Sequence, residues 1–350
     1  MNHRIFNPTD QEIRERSFHY WEKRGGHGYD QVDWLNAKRM LFIEQNYDLT
    51  AQYEYVDRAK KVIGKPDDIT DQSGRWCRFC RKAKSDGLTF GIKAHAIPES
   101  IGNKKLFSWN ECDDCNRKTN DYETSFSDSI AIPLSLMLVR GKNGLKTYSS
   151  PSGLKINPSE NQLQYGRHRH GRGDTDSKFH VDLNAGKIKT SEVNGKVTYP
   201  VKNFKLLTKC ALSIMPEEHV QFFSRTADWI VSQDHANKPK GCEKLGAYYS
   251  HLPGNFISLK GSVSTYARKH PVNLPGYLFL IRIRNIAFQI ALPRCDLDAH
   301  LDEATVPHIP AFPVFDAEKG SAWIEMIDMN SPEKVDVSFF AQHSFGLPKS

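Results

Sequence analysis

The sequence predicts an α+β protein, and three observations carry that reading. Helical periodicity fills the first sixty residues. Two C-x-x-C pairs bracket a short strand-loop-strand-helix pattern. The last two hundred residues mix strands and helices between Gly-, Pro- and Asn-rich turns. Three regions follow: 9–62, a small helical hairpin; 75–128, which carries the cysteine pairs; and 150–350, a mixed α+β domain for recognition or regulation. At 350 residues and 39% hydrophobic content, the chain can bury ordinary cores.

In the first region Ile13, Ser17, Tyr20 and Trp21 share one helical face, and Gly25-Gly26 ends that helix. A second helix begins near Asp30 and runs through Trp34, Ala37, Met40, Leu41 and Ile43. Two such helices are too small to stand alone, so the hairpin is expected to pack on the next region. The pattern Arg16-x-x-x-x-Trp21-Glu22, then Trp34-Leu35-Asn36-Ala37, resembles a short bacterial domain of unknown function. That likeness spans about thirty residues and implies no chemistry.

In the second region, Cys77-x-x-Cys80 and Cys112-x-x-Cys115 supply four thiolates from two tight turns, the donor set that tetrahedral zinc prefers. Four thiolates leave no open coordination position. The zinc is therefore structural, and any chemistry belongs to what it holds in place. Leu88 to Ile97 alternates, with Phe90, Ile92, Ala94 and Ala96 on one face and His95 on the other, which reads as a strand ending at Pro98. Gly102-Asn103 forms a turn, Leu106 to Trp109 a second strand, and Cys115 to about Phe126 a helix with Asn110 and Asp113 as candidate caps. Asn116, Asn120 and Glu123 fall on one face of that helix.

His95-Ala96-Ile97-Pro98-Glu99, Gly102-Asn103 and Asn110-Glu111-Cys112-Asp113-Asp114-Cys115-Asn116 together resemble the HNH endonucleases (His-Me finger, ββα-metal) in the branch with a four-cysteine zinc, found in bacterial anti-phage defence effectors. The resemblance implies a ββα-metal finger and a phosphodiester hydrolase. His95 becomes the general base and Asn110 the asparagine orienting its loop. Asn116 becomes a ligand of a catalytic Mg2+ or Mn2+, with Glu123 as its acidic companion. Many members carry Asp or His as a metal ligand just before the base; here that residue is Ala94. Lys104, Lys105, Arg117 and Lys118 are placed to track phosphates. A solvated surface accounts for them equally well.

In the third region, strands are expected at Phe179–Leu183, 187–190 and 196–200, the last two split by Asn194-Gly195. Helices follow at Val201–Met215 and from Pro216 to about Ser232, then strands at 277–293, broken near Arg284-Asn285, and at 322–329 and 334–341. The basic run Arg167-His168-Arg169-His170-Gly171-Arg172 reads as a solvated loop.

A net charge of +7 permits a polyanionic partner. Seven cysteines, four of them in knuckles, suit a reducing cytoplasm. The start lacks a signal peptide, and the apolar stretch 129–139 is too short to span a bilayer. The expectation is a cytoplasmic endonuclease on double-stranded DNA, controlled through its C-terminal domain by an activating protein or nucleotide ligand, with homo-oligomerisation left open. The alternative is a catalytically weak or inactive zinc-stabilised protein that binds nucleic acid or regulates.

Overall fold

A computed structural model describes residues 9–23, 33–34, 37–38, 41, 52–56, 75–149, 154–158, 163–167, 179–182, 187–239, 242, 245–251, 261–270, 274–293, 298 and 323–344. Helix α1 (Asp10–Lys23) opens on a reciprocal cap. The Glu12 carboxylate accepts from the Thr9 N–H at 2.7 Å, and Thr9 Oγ1 accepts from the Glu12 N–H at 3.3 Å. Ile13 and Tyr20 of α1 pack with Trp34, Ala37 and Leu41 in a small cluster of their own. Asp30, Met40 and Ile43 lie outside the described residues. The helical reading of 9–62 does not hold at 53–55. Tyr53–Tyr55 is a strand, β1, paired antiparallel with Ser262–Arg268, two hundred residues away. Three residues cannot declare a strand by periodicity; a distant partner made this one.

The middle region differs from the expected alternation. Residues 88–93 form no strand, because the Gly91 and Ile92 N–H groups donate to the Asp113 carboxylate at 3.0 and 2.7 Å. The expected strands 88–97 and 106–109 reduce to one antiparallel bridge, His95 with Phe107, flanked by Ser108 N–H to the Ala94 carbonyl and Ala96 N–H to the Leu106 carbonyl. The helix beyond comes in two pieces, α2 (Asp113–Lys118) and α3 (Asn120–Ser129), which break at Thr119. The Thr119 hydroxyl bonds back to the Cys115 carbonyl, and Tyr122 N–H takes the Thr119 carbonyl. A short apolar helix, α4 (Ala131–Leu136), follows. Next come the ribbon β2 (Arg140–Gly141) and β3 (Gly144–Leu145), and a sheet of β4 (Tyr148–Ser149), β5 (Leu154–Pro158) and β6 (Leu163–Arg167).

Strands β7 (Phe179–Asp182) and β8 (Lys187–Thr198) begin the C-terminal region. Asn194-Gly195 does not turn the chain. A ten-residue partner near the C-terminus, Val335–Ser344, pairs β8 from Thr198 to Lys187, and local irregularities absorb the mismatch. Helix α5 (Pro200–Ile214) matches the expected span. The second predicted helix is divided into α6 (Glu217–Val220), a 3-10 turn and α7 (Ser224–Val231). The large sheet then adds β9 (Gly246–His251), β10 (Ser262–Arg268), β11 (Tyr277–Ile283), β12 (Ile286–Ala291) and β13 (Trp323–Asp328), in the order β1-β10-β11-β12-β9-β13 and antiparallel throughout. The Val335–Ser344 strand is β14. Arg284-Asn285 closes the β11–β12 hairpin where the sequence marked a break. The basic run from His168 to Arg172 lies outside the described residues. No helix among the described residues is long and apolar enough to cross a membrane.

One apolar cluster runs from the knuckles (Cys77, Phe79) through α3 (Tyr122, Phe126) to α5 and the large sheet. Phe126 meets Phe288 of β12 with centroids 5.1 Å apart. All of α5 except Pro200 and Lys202 is buried, two lysines included, so each lysine must find a partner inside. Lys205 Nζ donates to the Ser232 carbonyl at 2.9 Å and lies 4.7 Å from the Trp229 ring; burial lowers its pKa to about 7. Lys209 Nζ lies 2.8 Å from Glu111 Oε1, with side-chain exposures of 2% and 0%. Burial pushes the Glu111 carboxyl up against the pull of Lys209. For Lys209, burial works against the charge, but Glu111 and Glu123 outweigh it and hold the ammonium.

Breaking a buried ion pair strands one charge, at a cost of about 3–5 kcal/mol, whereas removing both can be neutral. Chemical denaturation of K209M should therefore show a loss on that scale. The double variant E111M/K209M should recover most of it.

Candidate functional site

The cysteine pairs converge. The Cys77, Cys80, Cys112 and Cys115 sulfurs all lie within 4.8 Å of one another, and Cys80 and Cys112 are 3.9 Å apart. Zinc–sulfur bonds of ~2.3 Å place tetrahedral sulfurs about 3.8 Å apart, so the set fits zinc in number, softness and spacing. Each knuckle is closed locally. Arg81 takes a left-handed φ of 58°, its N–H bonds the Cys77 carbonyl at 2.7 Å, and the Cys77 N–H bonds the Lys82 carbonyl at 2.8 Å. Backbone N–H groups also point at sulfur, Cys112 N to Cys77 Sγ at 3.4 Å and Cys115 N to Cys112 Sγ at 3.5 Å. The cap of α2 is thus the Cys112 sulfur, and Asp113, expected as a cap, instead clamps the loop at Gly91-Ile92. A hydrogen bond from the Cys115 thiol lowers Cys77 to about 5, and the same contact raises Cys115. A bound cation would hold all four as thiolates.

The knuckles pin a two-stranded hairpin and a helix together. His95 pairs with Phe107 across the hairpin, and the rings touch with centroids 4.8 Å apart. The loop between the strands is spanned by Asn103. Its Nδ2 donates to the carbonyls of Ile97 at 2.5 Å and Leu106 at 2.8 Å, and its Oδ1 accepts from the N–H groups of Lys105 and Leu106. Asn103 Nδ2 also lies 3.4 Å from His95 Nδ1, but both of its hydrogens are spent on carbonyls. Asn103 therefore shapes the loop around the ring and leaves the imidazole nitrogen free. Asn110 lies elsewhere: its carbonyl accepts the Arg78 N–H at 2.9 Å, which ties one knuckle to the other.

His95 is about a quarter exposed, with Glu99 Oε2 3.7 Å from its Nε2. Burial lowers the His95 pKa, Glu99 opposes, and Lys93, Lys104 and Lys209 lower it further. The ring is therefore neutral, with a lone pair to offer, at neutral pH. Asn116 and Glu123 are part-buried and Asn120 is exposed, since the break at Thr119 interrupts the single helical face they were expected to share. Burial raises the Glu123 carboxyl, and Lys209 opposes this. Ala94 is 3% exposed and faces inward beside Ala96. Lys104 pairs with Glu99 at 2.5 Å, while Lys118 and Arg117 pair with Asp114 of their own helix at 2.9 and 3.6 Å. Lys105 is exposed.

Three participants escaped sequence reading. Asn103 looked like a turn former, Glu111 like a spacer, and Lys209 like one more helix lysine. The clue for Lys209 was a charge at a position the helical period marks as buried; Glu111, in the coil before α2, carried no such signal. Among the described residues, the four cysteines are the one cluster of three or more His, Cys, Asp or Glu side chains able to hold a metal ion.

A family model described as a protein of unknown function (DUF2934) matches residues 8–43, a range that includes α1. No curated protein and no solved structure matches the chain.

If the four sulfurs share one ion, Cys77→Ser or Cys115→Ser should lose zinc and most of the fold of 75–129, because structural zinc contributes on the order of 10 kcal/mol. Zinc content and limited proteolysis read this directly. Asn103→Ala removes four backbone contacts, takes the side-chain donor from the Ile97 carbonyl while Leu106 keeps the Ala96 N–H, and should cost about 1–3 kcal/mol in thermal or urea unfolding.

Proposed function

We propose that the four-cysteine centre anchors a nucleic-acid-binding or regulatory protein and, as the sharper form of that reading, that the hairpin and α2–α3 act as a metal-dependent HNH-type endonuclease on DNA. The observation that carries the sharper form is His95: a neutral, part-exposed imidazole on a zinc-pinned hairpin whose loop Asn103 holds. In that reading Asn103 takes the loop-holding part expected of Asn110. His95 accepts a proton from the attacking water, and its neighbours keep the imidazole poised to do so below the usual pH. Asn116 and Glu123 are the oxygen donors for a Mg2+ or Mn2+ ion. One carboxylate and one amide suit a hard ion that keeps several waters and takes its remaining ligands from phosphate. Such an ion supplies positive charge to the phosphate and the departing oxygen. Lys105 is the exposed cation best placed to meet the backbone; Lys104, Arg117 and Lys118 already have carboxylate partners.

A second reading, a protein that binds without cutting, is favoured by Ala94. The position before the base carries no ligand and faces the interior, so the donor set is one short of the family's usual one.

Plasmid nicking by zinc-loaded protein with and without Mg2+ or Mn2+ separates the two. The sharper reading expects His95→Ala to abolish nicking with zinc content and melting temperature unchanged; wild-type rates in that variant would remove His95 from the chemistry. Because the base works deprotonated and its pKa is lowered, the rate should rise through an inflection below about pH 6.5. Glu99→Gln removes a charge that favours the protonated ring, so the inflection should move to lower pH. Asn116→Ala and Glu123→Ala should each raise the metal concentration for half-maximal cleavage, non-additively if they share one ion.

A further inference from the structure

The hairpin around His95 is amphipathic in the wrong sense for a strand pair that only packs. Along the second arm of the hairpin Ser108 is buried, while Phe107, which bridges to His95, and Trp109, in the turn beyond, are partly exposed. Along the first, Ala94 and Ala96 face the interior and His95 lies between them on the outer face. A strand chosen for packing would put its aromatics inside and its serine and alanines outside. Here the small residues face in and the rings face out, in a row His95, Phe107, Trp109 with centroids 4.8 and 5.8 Å apart.

Cations frame the row. Lys93 is exposed, and its Nζ lies 3.8 Å from the Phe107 ring centroid. Arg75 sits 4.3 Å from the centroid of Phe90, and Lys105 is exposed at the hairpin loop. Lys93 is thus an exposed ammonium over the Phe107 ring, which a flat base can displace and which would then be free to meet a phosphate. Ile92, 41% exposed, stands beside Lys93 in the loop clamped by Asp113. Aromatic faces alternating with lysine or arginine are how proteins hold unpaired strands. Every base has a π-face to stack, and the phosphates follow the cations. A closed duplex offers such a surface only its phosphates, since its base faces are stacked on one another.

We propose that the outer face of the hairpin is a stacking platform for single-stranded DNA, with Phe107 and Trp109 taking bases and Lys93 and Lys105 taking phosphates. This rests on the nucleic-acid-binding reading above and replaces double-stranded with unpaired DNA as its ligand. It requires no cleavage.

The test uses full-length zinc-loaded His95→Ala protein, so that binding is read without cutting. Fluorescence anisotropy with labelled dT20, its duplex with dA20, and rU20 gives three affinities at one fixed salt concentration. The expected result is dT20 bound at least tenfold tighter than the duplex. Phe107→Leu, which keeps an apolar contact to residue 95 and loses the π-face, should weaken dT20 binding five- to tenfold and leave the duplex unchanged. Lys93→Met should weaken dT20 and flatten its salt dependence by about one ion. Circular dichroism and zinc content matching the parent show that each variant folds. Duplex binding as tight as dT20, binding of rU20 alone, no binding of any of the three, or Phe107→Leu indistinguishable from the parent would each overturn the proposal. So would a dimer that Phe107→Leu converts to monomer, since the face would then belong to a second copy. Metal-dependent nicking by wild-type protein is scored separately: its absence beside tight dT20 binding removes the nuclease and keeps the platform.

Discussion

Four sulfur atoms drawn to one point are the constraint on which the middle of this protein depends. The segment between the knuckles is loop, a few paired residues and loop again, with too little regular structure to define itself. Both ends are fixed because Cys77 and Cys80 must meet Cys112 and Cys115. The rest follows at short range. Asp113, next to Cys112, reaches back to clamp Gly91 and Ile92. Pairing can then begin at Ala94, and Asn103 closes the hairpin loop from within. His95 inherits a fixed position from contacts that are nearly all local.

The C-terminal region supports this unit as well as following it in sequence. Helix α5 lies in the centre of the shared core and sends Lys209 to Glu111, one residue before the second knuckle. Arg78, between the cysteines of the first knuckle, donates to the carbonyls of Leu212 and Met215 at the end of α5, where a helix leaves acceptors unpaired. Tyr122 of α3 donates to the Ile230 carbonyl of α7 at 2.9 Å. A buried ion pair is a poor way to gain stability, but it holds α5 in one position against the second knuckle, because any slippage leaves a charge alone. The electrostatics of the site therefore depend on a region the motif does not contain, since Lys209 acts on Glu123 and His95 together.

The surface of the hairpin and the charge of its histidine belong to one arrangement. Ring packing against Phe107 and partial burial lower the His95 pKa, and nearby lysines work in the same direction. Of those lysines, Lys93 lies exposed over the Phe107 ring, whereas Lys104 is paired with Glu99 and Lys209 is buried against Glu111.

By itself the sequence determined what periodicity and spacing encode. The convergence of the four cysteines was legible because C-x-x-C knuckles carry their own geometry. Helices α1 and α5 and the β11–β12 hairpin were legible because each repeats its pattern over many residues. The tertiary structure alone decided whatever depended on a distant partner. Tyr53–Tyr55 became a strand because β10 lay beside it, and Asn194-Gly195 stayed extended because β14 ran past it. The helix after the second knuckle broke at Thr119 because a side-chain bond competed with its backbone ladder. Asn103 rather than Asn110 came to hold the histidine loop, and Lys209 came to lie beneath it. A turn residue and a helix lysine look the same in sequence whatever they touch; which carbonyls or carboxylates they meet is fixed only when the chain closes on itself.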